Sequence, residues 1–93
     1  MSELQNKQKV HILRNPLTVK QLAAQINHSC DLYGVLELSE KELRELLVYY
    51  ADSHGRKLFG FNGDLNPTLL KIIGKKRREL VGIMLSGYQS RII

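Results

Sequence analysis

The sequence predicts a mainly α-helical domain of three to four helices, with a short β-hairpin or ordered loop around residues 56–65. Two observations carry that prediction: capping side chains stand at Thr18, Ser39 and Asn66, and apolar residues recur behind them at helical spacing. A winged-helix-like α+β fold is the alternative. Ninety-three residues with 43% hydrophobic and 25% charged side chains fit one domain with one modest core.

The opening residues 1–9 are polar around a lone Leu4 and read as a flexible N-terminal segment. A single helical domain spans 10–88, and 89–93 form a tail. Val10, His11 and Ile12 alternate for one period only and read as extended. Thr18 with Gln21 then fits a capping box, and Leu17 with Leu22 fits the hydrophobic staple that fixes how the chain enters a helix. Val19, Leu22, Ala23, Ile26 and Cys30 fall on one stripe of that helix, leaving Lys20, Gln21, Asn27 and His28 on the other side.

Gly34 marks the next turn, because glycine takes positive φ freely and weakens a helix interior. Ser39 with Glu42 repeats the box and Leu38 with Leu43 the staple, followed by a face of Leu43, Leu46, Leu47, Tyr50 and His54. Gly55 is the expected stop. In 56–65, Asn62 and Gly63 form a tight-turn dipeptide preceded by Leu58, Phe59 and Phe61. Asn66 then caps a third helix, Pro67 takes its first position, and Leu65 with Leu70 forms the third staple. Leu69, Leu70, Ile72 and Ile73 precede Gly74 and a charged stretch, after which Leu80, Val81, Ile83, Met84 and Leu85 resume the apolar pattern. Residues 67–86 are therefore either one long helix with a basic waist or two helices hinged at Gly74, with Gly87 ending the element.

The net charge of +5 divides unevenly. Residues 1–30 carry four Lys/Arg and one acid, 31–52 carry two and six, and 53–93 carry eight and two, giving +3, −4 and +6. The basic ends favour acidic partners. Cys30 stands alone and no charged-apolar-small leader pattern opens the chain, so an intracellular, cytoplasmic setting is expected. The longest apolar run, 46–51, is six residues where a membrane span needs about twenty.

The sharpest chemical feature is Lys75, Lys76, Arg77 and Arg78, with Lys71 one turn earlier. Cations gathered this way neutralise several phosphates and give salt-dependent affinity for nucleic acid; the bland reading is a solvated helix surface. Arg56 and Lys57 are auxiliaries. The segment Thr18–Ile26 resembles the first helix of a bacterial helix-turn-helix regulator, which implies a turn at Asn27, His28 and Ser29 and a recognition helix after it. The residues that would follow, Cys30 to Gly34, contain no Arg, Lys, Asn or Gln to read base edges.

Other arrangements point away from catalysis. Gly55, Gly60 and Gly63 match neither the dinucleotide fingerprint nor the P-loop, although the helix start at Asn66 beside Arg56 and Lys57 could hold a weak anion. His11, His28, Cys30 and His54 lack the paired spacing of zinc ligands, so no metal or cofactor is expected. His54 reads as a cation favoured at a helix C-terminus. Cys30 reads as a core thiol, and the glutamates 37, 40, 42 and 45 as surface charges, with Glu40 placed to pair Arg44. Phe59 and Phe61 suit stacking on bases or seating a partner, and the bland reading places them in the core, with Tyr49 exposed beside them.

The expectation is a non-enzymatic binding module that engages DNA or another nucleic acid through Lys71, Lys75, Lys76, Arg77 and Arg78, with Arg56 and Lys57 assisting. The alternative is a protein–protein adaptor or regulatory subunit, self-associating in one version, that meets its partner through the acidic helix 39–54.

Overall fold

The computed structural model describes residues 12–61 and 63–88. The expectations for 1–9, Val10, His11, Asn62 and 89–93 lie outside the described residues. Four helices follow in order: α1 (Val19–Gly34), α2 (Glu40–Ser53), α3 (Gly55–Leu58) and α4 (Pro67–Met84). The mainly helical prediction holds. Strand pairing among the described residues is one isolated antiparallel bridge, Phe59 to Leu65, so the winged-helix alternative is not needed.

At the start of α1, Thr18 Oγ1 accepts the Gln21 N–H at 3.1 Å as predicted. Gln21 returns its bond one residue further out, to the Leu17 N–H at 2.7 Å. The staple predicted there does not form, because Leu17 is 79% exposed; Pro16, one residue earlier, is the side chain the core takes in. Leu22, Ala23, Ile26 and Cys30 are buried on the predicted stripe. The helix runs unbroken through Asn27, His28 and Ser29, so the turn implied by the helix-turn-helix resemblance is absent. Ser29 is fully buried and satisfies its hydroxyl by donating to the Ile26 carbonyl at 2.9 Å.

The reversal after α1 comes two residues later than Gly34, which is the last residue of the helix. The Leu36 N–H donates to Tyr33 O at 3.1 Å and the Glu37 N–H to Leu32 O at 2.8 Å, the two bonds of a Schellman closure. That closure needs a left-handed residue at its centre, and Leu36 occupies it with φ 64. A bulky residue in that region is strained.

Ser39 and Glu42 form both bonds of the capping box, at 3.1 and 2.8 Å, and Leu38 and Leu43 are both buried. Gly55 does not act as the stop. The chain bends at His54 (φ −130, ψ 34), and Gly55 opens the single turn α3, which carries Leu58 into full burial. The segment after it, expected as a hairpin or an ordered loop, is a loop closed by one antiparallel bridge: the Gly60 N–H donates to Asp64 O at 2.7 Å and the Asn66 N–H to Leu58 O at 2.8 Å. Asn66 Oδ1 then accepts the Thr68 N–H at 2.8 Å, and Pro67 sits in the first turn of α4.

The choice left open for 67–86 resolves into two helical segments, 67–73 and 75–84. Gly74 stands between them with φ 85 and ψ 172. That conformation is confined almost wholly to glycine, so the break is written in the residue type. Leu69 and Ile73 are buried before it, and Val81 and Met84 after it. α4 shares its most extensive interface with α1, and Leu43, Leu47 and Tyr50 of α2 complete the core.

Two ionisable groups are enclosed by that core. Burial pushes the Cys30 thiol up to about 11, opposed by a smaller pull downward from Arg77 and aided by a still smaller push upward from Asp31. Burial likewise raises Tyr50 to about 12, and its hydroxyl donates to the Leu13 carbonyl at 2.6 Å. At neutral pH both are protonated, and Cys30 is not an activated nucleophile.

Two outcomes follow for stability. Nothing lies within 4 Å of a Cβ at Gly74 or at Gly82, so substitution at either probes the backbone alone. Gly74→Ala should destabilise by about 1–3 kcal/mol. Gly82→Ala, inside a regular helical segment, should stabilise by about 0.5–1 kcal/mol in the same urea titration. The raised Cys30 pKa sets the second. An unfolded thiol loses its proton near 9.0 and the folded one only near 11, so stability is full below pH 9 and declines between pH 9 and 11. Urea midpoints measured across that window should fall more steeply for the wild type than for Cys30→Ala; parallel slopes would contradict the assignment.

Candidate nucleic-acid interface

The predicted cations divide between two places. Lys71 lies on the first segment of α4, and Lys75, Lys76, Arg77 and Arg78 form the opening turn of the second, immediately after the break at Gly74. Lys71, Lys75, Lys76 and Arg78 are exposed. The ion pairs Arg44–Glu40 and Arg77–Asp31 use none of these four.

Arg77 has a different task. Its Nη2 donates to Asp31 Oδ1 of α1 at 2.7 Å, and its Nη1 to the Ile73 carbonyl at 3.4 Å. It therefore bridges the two segments of α4 and ties both to α1. The hydrogen bond and charge of Asp31 hold the guanidinium above its ordinary pKa. Beside it, Asn27 Nδ2 donates to the Ile72 carbonyl at 3.4 Å. Asn27, expected on the outer side of α1, faces α4 instead, because the backbone around Gly74 leaves carbonyls that need donors.

Positive side chains at the start of a helical segment meet the positive end of its dipole, an unfavourable placement. Glu79 is the one acid in the stretch 75–84. An anion at this surface would relieve the repulsion.

Arg56 and Lys57 lie elsewhere. They belong to α3 and line a broad groove of about 1710 Å³ together with His54, Phe59, Phe61 and Tyr88. None of residues 71–78 lines it. Phe59 is half-buried and stacks on Tyr88, with ring centroids 6.4 Å apart and planes 19° from parallel. Tyr88 donates its hydroxyl to Asp52 at 2.9 Å. Phe61 does not join the core: it is fully exposed, at 112%.

A third cluster was invisible in the sequence pattern. Tyr49 donates to Asn15 Oδ1 at 2.8 Å, and Arg14 lies over its ring at 5.3 Å. Tyr49 therefore faces the segment ahead of α1 and does not stand beside Phe59 and Phe61. His54 Nε2 is 3.1 Å from the Arg14 carbonyl and 3.2 Å from Asn15 Oδ1. A carbonyl only accepts, so Nε2 carries the proton. Through Nε2, His54 ties the C-terminal end of α2 to residues 14–15.

The remaining candidates fall out in place. Glu40 pairs with Arg44 at 3.3 Å as predicted, and Arg44 also donates to the Met84 carbonyl at 2.8 Å. Among the described residues, no three His, Cys, Asp or Glu side chains gather closely enough to hold a metal ion. No described helix is long and apolar enough to cross a membrane.

Comparison with known proteins places the chain by family alone: no curated protein and no solved structure matches it. The family model that does match covers residues 13–86, all four helices included, and the chain belongs to that family, CLB_0814_fam, described as conserved hypothetical protein.

Proposed function

We propose that the chain is a non-enzymatic nucleic-acid-binding module that meets phosphate backbones through Lys71, Lys75, Lys76 and Arg78, with Arg56 and Lys57 as a second cationic pole. The observation that carries this reading is the exposed cluster of cations around Gly74, free of the ion pairs that occupy Arg44 and Arg77. Such a cluster gains affinity by releasing counterions from phosphates, whatever the base sequence. Arg77, tied to Asp31, keeps the surface in shape and leaves the contact itself to its neighbours.

The adaptor reading rests on the acidic surface of α2. Two of its glutamates already have work within the helix, Glu42 in the capping box and Glu40 with Arg44. That leaves a smaller acidic surface for a partner than the residue count suggests, and it favours the nucleic-acid reading.

Four phosphate contacts imply a log–log salt slope of about −3.6 on duplex DNA, or roughly a 150-fold loss of affinity over a fourfold rise in salt. Replacing Lys71, Lys75, Lys76 and Arg78 together by Glu, with Arg77 kept, should abolish binding to labelled DNA and RNA in fluorescence anisotropy while leaving the circular dichroism spectrum unchanged. A folded variant that binds with the parent's affinity and salt slope would overturn the proposal.

A further inference from the structure

The cations of α4 do not stand alone on their side of the domain. His54, at the end of α2, holds the chain that leads into α1 through the Arg14 carbonyl. The next element, α3, holds the start of α4 through the Asn66 N–H to Leu58 O bond of 2.8 Å. α1 and α4 therefore set out from the same end. Further on, Asn27 reaches the Ile72 carbonyl and Arg77 reaches Asp31, so four residues along α1 match five along α4 and the two helices run in parallel. Residues three and four apart share one edge of a helix, which puts Lys20, Ala24, Asn27 and Asp31 on the edge of α1 that borders α4. Lys20 and Ala24 are exposed.

We infer that Lys20 is a further phosphate contact, so that the nucleic-acid surface is the seam between α1 and α4 and not α4 alone. The inference rests on the nucleic-acid reading above and adds to it a residue and a second helix. Three observations select Lys20. α1 carries one acid, Asp31, which Arg77 holds, whereas Lys20 takes part in neither ion pair of the described residues. With His28 neutral, one cation on α1 and five on α4 face two acids, Asp31 and Glu79, so the two helices keep a net charge of +4. Lys20 is also the second residue of α1, in a first turn without an acid, and so meets the positive end of a helix as Lys75 does. The occupant is a chain of phosphates. Lys20 lies eleven residues, about 16 Å, ahead of Asp31, the partner of Arg77, which is farther than one small anion spans. A duplex offers phosphates at ~3.4 Å intervals of axis along each strand and reaches both ends. Ala24, exposed between Lys20 and Asn27, keeps that edge low enough for close approach.

A fifth contact takes the expected log–log salt slope on duplex DNA from about −3.6 to about −4.5. In anisotropy titrations of the full chain with a short labelled duplex, Lys20→Gln should return the slope to about −3.6 and weaken binding about tenfold near roughly 0.1 M salt. Lys20→Arg should keep both. Lys41, exposed on α2, is the control: Lys41→Gln removes an equal charge and should leave the slope unchanged. A Lys20→Gln slope equal to the parent's, or an equal loss in Lys41→Gln, would overturn the inference. Polyglutamate that displaces the labelled duplex as readily as unlabelled duplex of equal charge would overturn it too, since the seam would then not select phosphates. If the α4 charge reversal abolishes binding while Lys20→Gln changes nothing, α1 drops out and the basic-surface reading stands. If the wild type binds no duplex, that reading fails and takes Lys20 with it.

Discussion

The break at Gly74 governs how the rest of the chain assembles. An uninterrupted helix from Pro67 would continue in one direction past the charged stretch that separates Leu69 and Ile73 from Val81 and Met84. A single residue at φ 85 and ψ 172 resets the direction, and all four side chains are buried. The cost is a gap in the hydrogen-bond ladder at the middle of the largest interface in the fold. Arg77 and Asn27 fill it, the first reaching the Ile73 carbonyl and the second the Ile72 carbonyl. Polar groups at this point of the interface are therefore a consequence of the break and serve it.

The same constraint sorts the basic residues. Of the four consecutive cations, the one whose helical position turns it toward α1 is drawn into the structure through Asp31, and its three neighbours are left outside. Because the break also makes Lys75 the start of a new helical segment, those neighbours sit where a helix least favours positive charge. A surface that repels itself in the free protein is one that gains most from an anionic partner.

Much of the fold was legible because its signals are local. Ser39 and Glu42 are three residues apart, Asn66 and Pro67 are adjacent, and the stripe of Leu43, Leu46, Leu47 and Tyr50 repeats within one helix; each appears in the structure as read. Where the reading failed, the deciding partner lay far along the chain or the turn used an unexpected residue. Arg77 looked like its neighbours until Asp31, 46 residues away, was brought against it. His54 stands at the end of its helix as read, but its contacts to Arg14 and Asn15, which come from the other end of the domain, could not be read there. Gly34 and Gly55 carried the usual mark of a reversal, yet the reversals fell at Leu36 and His54, where the bonds back to Leu32 and Tyr50 set the geometry. The groove was half visible: Arg56, Lys57, Phe59 and Phe61 stand close in sequence, but Tyr88 joins them only through tertiary folding.

Helix α4 also connects the two cationic regions that the sequence presents as separate. Pro67 and Leu70 line the groove, Lys71 follows at once, and Lys75 begins the next segment. Phe61 lies ahead of α4, in the loop that the Phe59–Leu65 bridge closes, and the crowded cations lie past its first segment, so one helix ties that loop to the basic surface.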